Sequence, residues 1–218
     1  MNPIQKIAIT FAALCVTHTL YAAEPENLSI TKQNLMQYQS SGEYARDLKR
    51  VADEAKAYLK ARIASPHEKP LAIVFDIDET CLSNYRDMVT LSFGGSLPDI
   101  LREEAKGTDA AIPATLELYQ YALANKVAVF FVTGRIAQYR EPTVKNLKAE
   151  GFSEWEDLIF KPSNYHEKTV SIYKAGERKA ITNKGYDIVI DIGDQDSDLA
   201  GGYADKTFKL PNPFYFLP

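Results

Sequence analysis

Two aspartates two residues apart, then a threonine two further on, close an apolar run: Leu71 to Asn84 reads LAIVFDIDETCLSN. A carboxylate at the end of a hydrophobic strand can attack phosphorus and carry the phosphoryl group, the part open to Asp76. A second carboxylate two residues on points the same way and can give a proton to the leaving group, then take one from water, the part open to Asp78. So much negative charge needs a compensating cation, and oxygen donors imply a hard divalent ion, Mg²⁺ before others. A single acid here would be a turn or helix cap and nothing more. The pair with Thr80 is a rarer arrangement.

A second acidic stretch, Asp191-Ile192-Gly193-Asp194-Gln195-Asp196-Ser197-Asp198, follows the apolar Ile188-Val189-Ile190. Its alternating aspartates admit a calcium loop, but the glycine at the sixth position and the glutamate at the twelfth that an EF-hand needs are missing. Two acidic clusters at two strand ends, both closing on one metal, fit better. Between them VAVFFV (127–132) runs into Thr133-Gly134-Arg135, a hydroxyl, a glycine amide and a guanidinium that together form a phosphate grip. Lys174 is singled out by its position ahead of the second acidic cluster. Arg178, Lys179 and Lys184 read as solvated surface charges.

These residues need strands to carry them. The runs 71–75, 127–132, 158–160 and 188–190 are apolar without alternation, the pattern of parallel strands buried on both faces. Helical patterns separate them: 43–64 with Tyr44, Leu48, Val51, Ala55 and Leu59 inward, 113–125 opened by Pro113, one opened by Pro142 and stopped by Gly151, and 173–183 stopped by Gly185. Alternation of this kind predicts an α/β fold, a Rossmann-like parallel sheet sandwiched by helices. Residues 24–40 read as an extended or loosely packed lead-in. The core spans about 65–218; the N-terminal helix 43–64 and the insertion 84–110, with a helix near 98–105, are suited to a small helical cap, or the insertion is a loop without that role.

At 218 residues the chain holds one α/β domain and a small appendage. A net charge of −4 and a pI near 5.5 argue against binding a nucleic-acid polymer. Residues 1–23, with Lys6 before an apolar segment and small residues at Ala22-Ala23, read as a secretory signal peptide and not as a stable membrane insertion. Cys15 follows the bulky Leu14 and is a poor lipidation site. The remaining cysteine, Cys81, cannot form an internal disulfide and reads as apolar filler; Asp87 stands where a cysteine-dependent phosphatase would need its arginine.

Asp76-x-Asp78-x-Thr80, Thr133, Lys174 and Gly193-Asp194 with Asp198 occur in the order of the four motifs of the haloacid-dehalogenase superfamily, which the chain resembles from about Leu71 to Pro218. FDIDETCLSN, VTGR, YKAGERK, GYDIVIDIGDQDSDLAG and FKLPNPFYFLP resemble one branch, subfamily IIIB, of plant vegetative storage proteins and bacterial class C acid phosphatases. The resemblance implies an exported, periplasmic or secreted, Mg²⁺-dependent acid phosphatase acting on small phosphomonoesters. It implies Asp76 as nucleophile, Asp78 as general acid and base, Thr133 on a phosphoryl oxygen and Lys174 balancing charge. It also implies substrate contacts from Thr80, Gly134 and Arg135, and a metal held by Asp76, the Asp78 carbonyl and Asp194 with Asp198 in support. One departure is Asp196, where the branch usually has tryptophan; it adds a carboxylate near the metal loop. The alternative is a non-catalytic storage or phosphate-ester binding protein of the same fold, against which the intact Asp76 stands. A phospho-accepting receiver domain lacks the acid/base aspartate at this spacing. Tyr85, Tyr203, Phe214 and Tyr215 could stack on a nucleoside, although at 11% aromatic content core packing is the commoner role. Oligomeric state is left open, a homodimer being one option.

Overall fold

The computed structural model describes residues 24–167 and 169–217, so the leader expected in 1–23 lies outside the described residues. Two helices come first, α1 (Leu28–Ser40) and α2 (Glu43–Ala64), joined at Gly42 in the left-handed region (φ 76°). The helix α1 corrects the extended lead-in. It buries no residue fully and leaves Leu28, Ile30 and Met36 exposed, so it has no apolar stripe for a periodicity argument to find. The stripe of α2 is real: Tyr44, Leu48, Ala52, Ala55 and Leu59 are buried, each large apolar side chain contributing about 1.5–3 kcal/mol.

The order then runs β1 (Leu71–Phe75), β2 (Leu82–Ser83), α3 (Tyr85–Thr90), α4 (Leu97–Glu104), β3 (Ala110–Ala111), α5 (Pro113–Ala124) and β4 (Ala128–Ile136). It continues with α6 (Arg140–Ala149), β5 (Asp157–Lys161), α7 (Ser171–Asn183), β6 (Asp187–Gly193), α8 (Asp196–Leu199) and β7 (Lys206–Lys209). The main sheet is parallel with order β5-β4-β1-β6-β7. The chain leaves β1 to one side, adds β4 and β5, then returns to place β6 and β7 on the other side. That reversal makes the edge of β1 a topological switch point, where open α/β sheets keep their crevice.

All of β1 is buried because helices cover both faces. Leu71, Ile73 and Phe75 pack with α2 and α5, while Ala72 and Val74 pack with Tyr173 and Ile181 of α7. The α/β architecture expected from the runs is the one observed. The edge strand β7 and the short helix α8 had no apolar run to announce them. The segment 84–110 is an insertion with two helices, closed at its base by the antiparallel ribbon β2–β3 (Leu82 beside Ala111, Ser83 beside Ala110). Among the described residues, no helix is long and apolar enough to cross a membrane.

Candidate active site

Phe75 lies beside Phe131 on β4 and Ile192 on β6, so Asp76, Thr133 and Gly193-Asp194 come together at the C-terminal edge of the sheet. The Asp76 N–H still donates to the Ile192 carbonyl at 3.0 Å, prolonging β1 to the carboxylate. Ile77 turns into the core, and its carbonyl accepts the N–H groups of Thr80, Cys81 and Leu82 at 3.3, 2.8 and 2.9 Å. This tight loop puts Asp76 and Asp78 on the crevice side. Cys81 is wholly buried beneath it, and burial, with Asp76 and Asp78 nearby, pushes its thiol pKa well up: it is filler, as expected.

Lys174, 3% exposed, donates to both Asp76 and Asp198, the latter at 2.7 Å. Asp194 accepts the Thr80 hydroxyl at 3.3 Å, the Gln195 amide at 2.6 Å and the Asn212 amide at 2.7 Å. Asp198 also accepts the Gln195 N–H at 2.9 Å. A Cβ on Gly193 would come within 2.6 Å of the Asp198 side chain, so only glycine lets that carboxylate approach the strand end. Carboxylate oxygens of Asp76, Asp194 and Asp198 lie within 4.8 Å of one another.

Burial raises the pKa of Asp76 well above the usual range; Lys174 offsets this in part, while Asp198, Asp194 and Asp78 raise it further. Asp194 is pushed up to about 6 by burial and then by Asp198. Burial disfavours the Lys174 ammonium, yet Asp198 and Asp76 outweigh it and hold its pKa above the ordinary lysine value. Three carboxylates face one ammonium, and their donors are all oxygen. That set fits a hard divalent cation, which the superfamily generally uses.

The Asp78 carboxylate stands outside this cluster. Arg135, 3% exposed, grips it with Nε at 3.2 and 3.1 Å and Nη2 at 2.7 Å. The same guanidinium donates to Asp109 at 3.3 Å and to the Thr143 hydroxyl at 3.2 Å. Asn84 adds a bond to Asp78 at 2.8 Å. Burial would raise the Asp78 pKa, but Arg135 and Asn84 more than offset it and leave the carboxyl below the usual range. Thr133 is fully buried and its hydroxyl accepts the Arg135 N–H at 3.0 Å. A Cβ at Gly134 would meet no atom within 4 Å, so β4 borders open space at that residue. The sequence-named residues therefore form two groups side by side: Lys174 with Asp76, Asp194, Asp198 and Thr80, and Arg135 with Asp78 and Thr133.

Arg178 corrects the reading of a solvated charge. It is 1% exposed, paired with Asp191 at 2.9 Å, and donates to the carbonyls of Asp198, Ala200 and Gly202. Its spacing of four from Lys174 placed both on one helix face, the only signal available. Asp196 is exposed at the start of α8 and does not join the three converging carboxylates. Asn84, Asp109 and Asn212 went unnamed because isolated polar residues carry no pattern. Phe214 is buried against Tyr44 and Tyr85, ring centroids 5.1 and 5.2 Å away, and Tyr203 lies 44% exposed near Lys179. Burial, then Asp194 and Asp78, push the Tyr215 phenol well up.

A doubly wound parallel sheet with this acid cluster at its switch point has the fold of the haloacid-dehalogenase class. The class C acid phosphatase from Bacillus anthracis superposes with a TM-score of 0.71 at 23% identity, covering 86% of each chain. Acid phosphatase 1 of Solanum lycopersicum is 35% identical over 208 residues, 90% of this chain and 81% of its own. Vegetative storage protein 1 of Arabidopsis thaliana is 34% identical over 183 residues, 82% of this chain and 67% of its own. The family model for HAD superfamily, subfamily IIIB (acid phosphatase), matches residues 4–218, and the chain belongs to that family. Its activity is that of an acid phosphatase, a phosphoric monoester hydrolase.

Proposed function

We propose that the chain hydrolyses phosphomonoesters through an aspartyl-phosphate on Asp76, and that Mg²⁺ is its metal. The observation that carries this reading is the bond of one buried ammonium, Lys174, to both Asp76 and Asp198 beside Asp194. An Asp76 oxygen attacks phosphorus while the ester P–O bond breaks, and Asp78 gives its proton to the departing oxygen. Water then attacks the acyl phosphate, Asp78 takes a proton back, and inorganic phosphate leaves. Lys174 offsets part of the cost of burying the Asp76 carboxylate and balances charge on the phosphoryl group. The Thr133 hydroxyl and the Gly134 amide, next to the open space at Gly134, would hold a phosphoryl oxygen. Thr80 acts one step back, orienting Asp194, and Arg135 serves the site through Asp78 as well as through substrate. Asp76, Asp194 and Asp198, with the Asp78 carbonyl, would hold the metal, which when bound neutralises charge on the phosphoryl oxygens.

Hydrolysis of p-nitrophenyl phosphate at acid pH should need Mg²⁺, stop with EDTA and return when Mg²⁺ is added back. Full activity in EDTA would remove the metal from the reading. Residues 24–218 would form the exported phosphatase, periplasmic or secreted after loss of 1–23, with 84–110 as its cap. Vegetative storage relatives suggest a storage role instead, and absence of turnover across a panel of phosphomonoesters would favour it. Tyr215, whose N–H donates to the same Asn212 that bonds Asp194, makes nucleoside monophosphates the substrates to try first. Their kcat/KM should exceed that of sugar phosphates, and equal values would remove the preference.

A further inference from the structure

Glu79 lies between Asp78 and Thr80 yet takes no part in the crevice. Its backbone is left-handed (φ 49°), which turns the side chain away from the catalytic side and into the protein, where it is fully buried. A non-glycine residue held there costs about 1 kcal/mol and persists only when its surroundings fix it. They do: the Tyr44 hydroxyl donates to one oxygen at 2.7 Å, and the Asn84 N–H and Ser83 hydroxyl donate to the other at 2.5 and 3.3 Å. Asn84 in turn donates from its side chain to Asp78 at 2.8 Å. The Asn84 amide oxygen is buried without a partner among the described residues, so the orientation of this amide is governed by Asp78 and not by its own saturation.

We infer that Tyr44 and Glu79 are positioning residues for the acid/base Asp78, acting through Asn84, and that helix α2 is thereby part of the catalytic apparatus. The inference rests on Asp78 being the general acid. Tyr44 is 2% exposed and wedged against Phe214, so its hydroxyl has one direction to point. Arg135 holds Asp78 from β4 by charge; Asn84 adds to the same oxygen, Oδ1, a neutral donor that stays when Asp78 is protonated. Losing the second hold lets the carboxyl turn toward Arg135 and away from the leaving oxygen.

Leaving-group dependence tests this. p-Nitrophenolate departs without a proton, whereas an alkoxide needs one, and kcat/KM reports only the steps through ester cleavage. Tyr44→Phe and Glu79→Gln should lower kcat/KM for glycerol phosphate by about tenfold or more and for p-nitrophenyl phosphate by less than about threefold, a fraction of what a general acid supplies. Asp78→Asn, run alongside, should show the same selectivity more strongly. Equal losses on both esters, or none, in a folded Tyr44→Phe protein would overturn the inference while leaving Asp78 in place. A non-selective loss in Asp78→Asn would overturn both. Tyr44→Phe keeps the ring and its packing, so the test survives if Glu79→Gln fails to fold.

Discussion

Asp76→Asn yields a folded protein that has lost hydrolysis of p-nitrophenyl phosphate by roughly 10⁴-fold or more, the scale on which loss of a nucleophile is felt. An amide in this position is nearly the same shape but has no charge and almost no nucleophilicity toward phosphorus. The fold should survive because burial of Asp76 already disfavours its charge, and Lys174 keeps a bond to Asp198 at 2.7 Å. Wild-type protein quenched in acid during turnover should carry one phosphate on the peptide containing Asp76, labile to hydroxylamine. The variant should carry none. Turnover that survived in Asp76→Asn would mean that a different group attacks, and the proposed chemistry would have to be redrawn around it.

Arg178→Met should be the most destabilising of the single changes considered. The side chain is replaced by one of similar length without donors, so the carbonyls of Asp198, Ala200 and Gly202 lose a partner inside the protein. Asp191, pushed up to about 7 by burial against the pull of Arg178, can escape by keeping a proton, so the carbonyls carry most of the loss. The total is about 3–5 kcal/mol, the usual result of breaking a buried charged network from one side. For a chain of this size that lowers Tm on the order of 10 °C. Lys179→Ala, at the neighbouring exposed position, should change Tm by no more than about 2 °C. Thermal unfolding of the two variants side by side decides it; similar small shifts would mean that water replaces Arg178 at the loop.

Much of this fold is legible in the chain itself. Leu71–Phe75 is buried on both faces, as a short unbroken apolar run followed by acidic turn residues predicts for a parallel strand covered by helices. The spacing of Asp76 and Asp78, and the second acidic stretch at Asp194 and Asp198, announced carboxylates at strand ends. Helix α1 was not legible, since a helix that buries none of its residues fully leaves no periodic trace. Nor was β7, an edge strand of four residues with only Phe208 buried.

What the linear order determined was which groups could do chemistry, because reactivity belongs to side-chain type and strand ends are marked by hydrophobicity. What the tertiary structure decided was their partners. Lys174 and Asp76 are 98 positions apart in the chain, Arg135 and Asp78 57, Tyr44 and Glu79 35. Each pair meets because parallel strand order and helix packing bring it together. No local rule relates such residues, so whether a charge is solvated, as Arg178 was expected to be, or buried in a network is fixed only when the chain closes on itself.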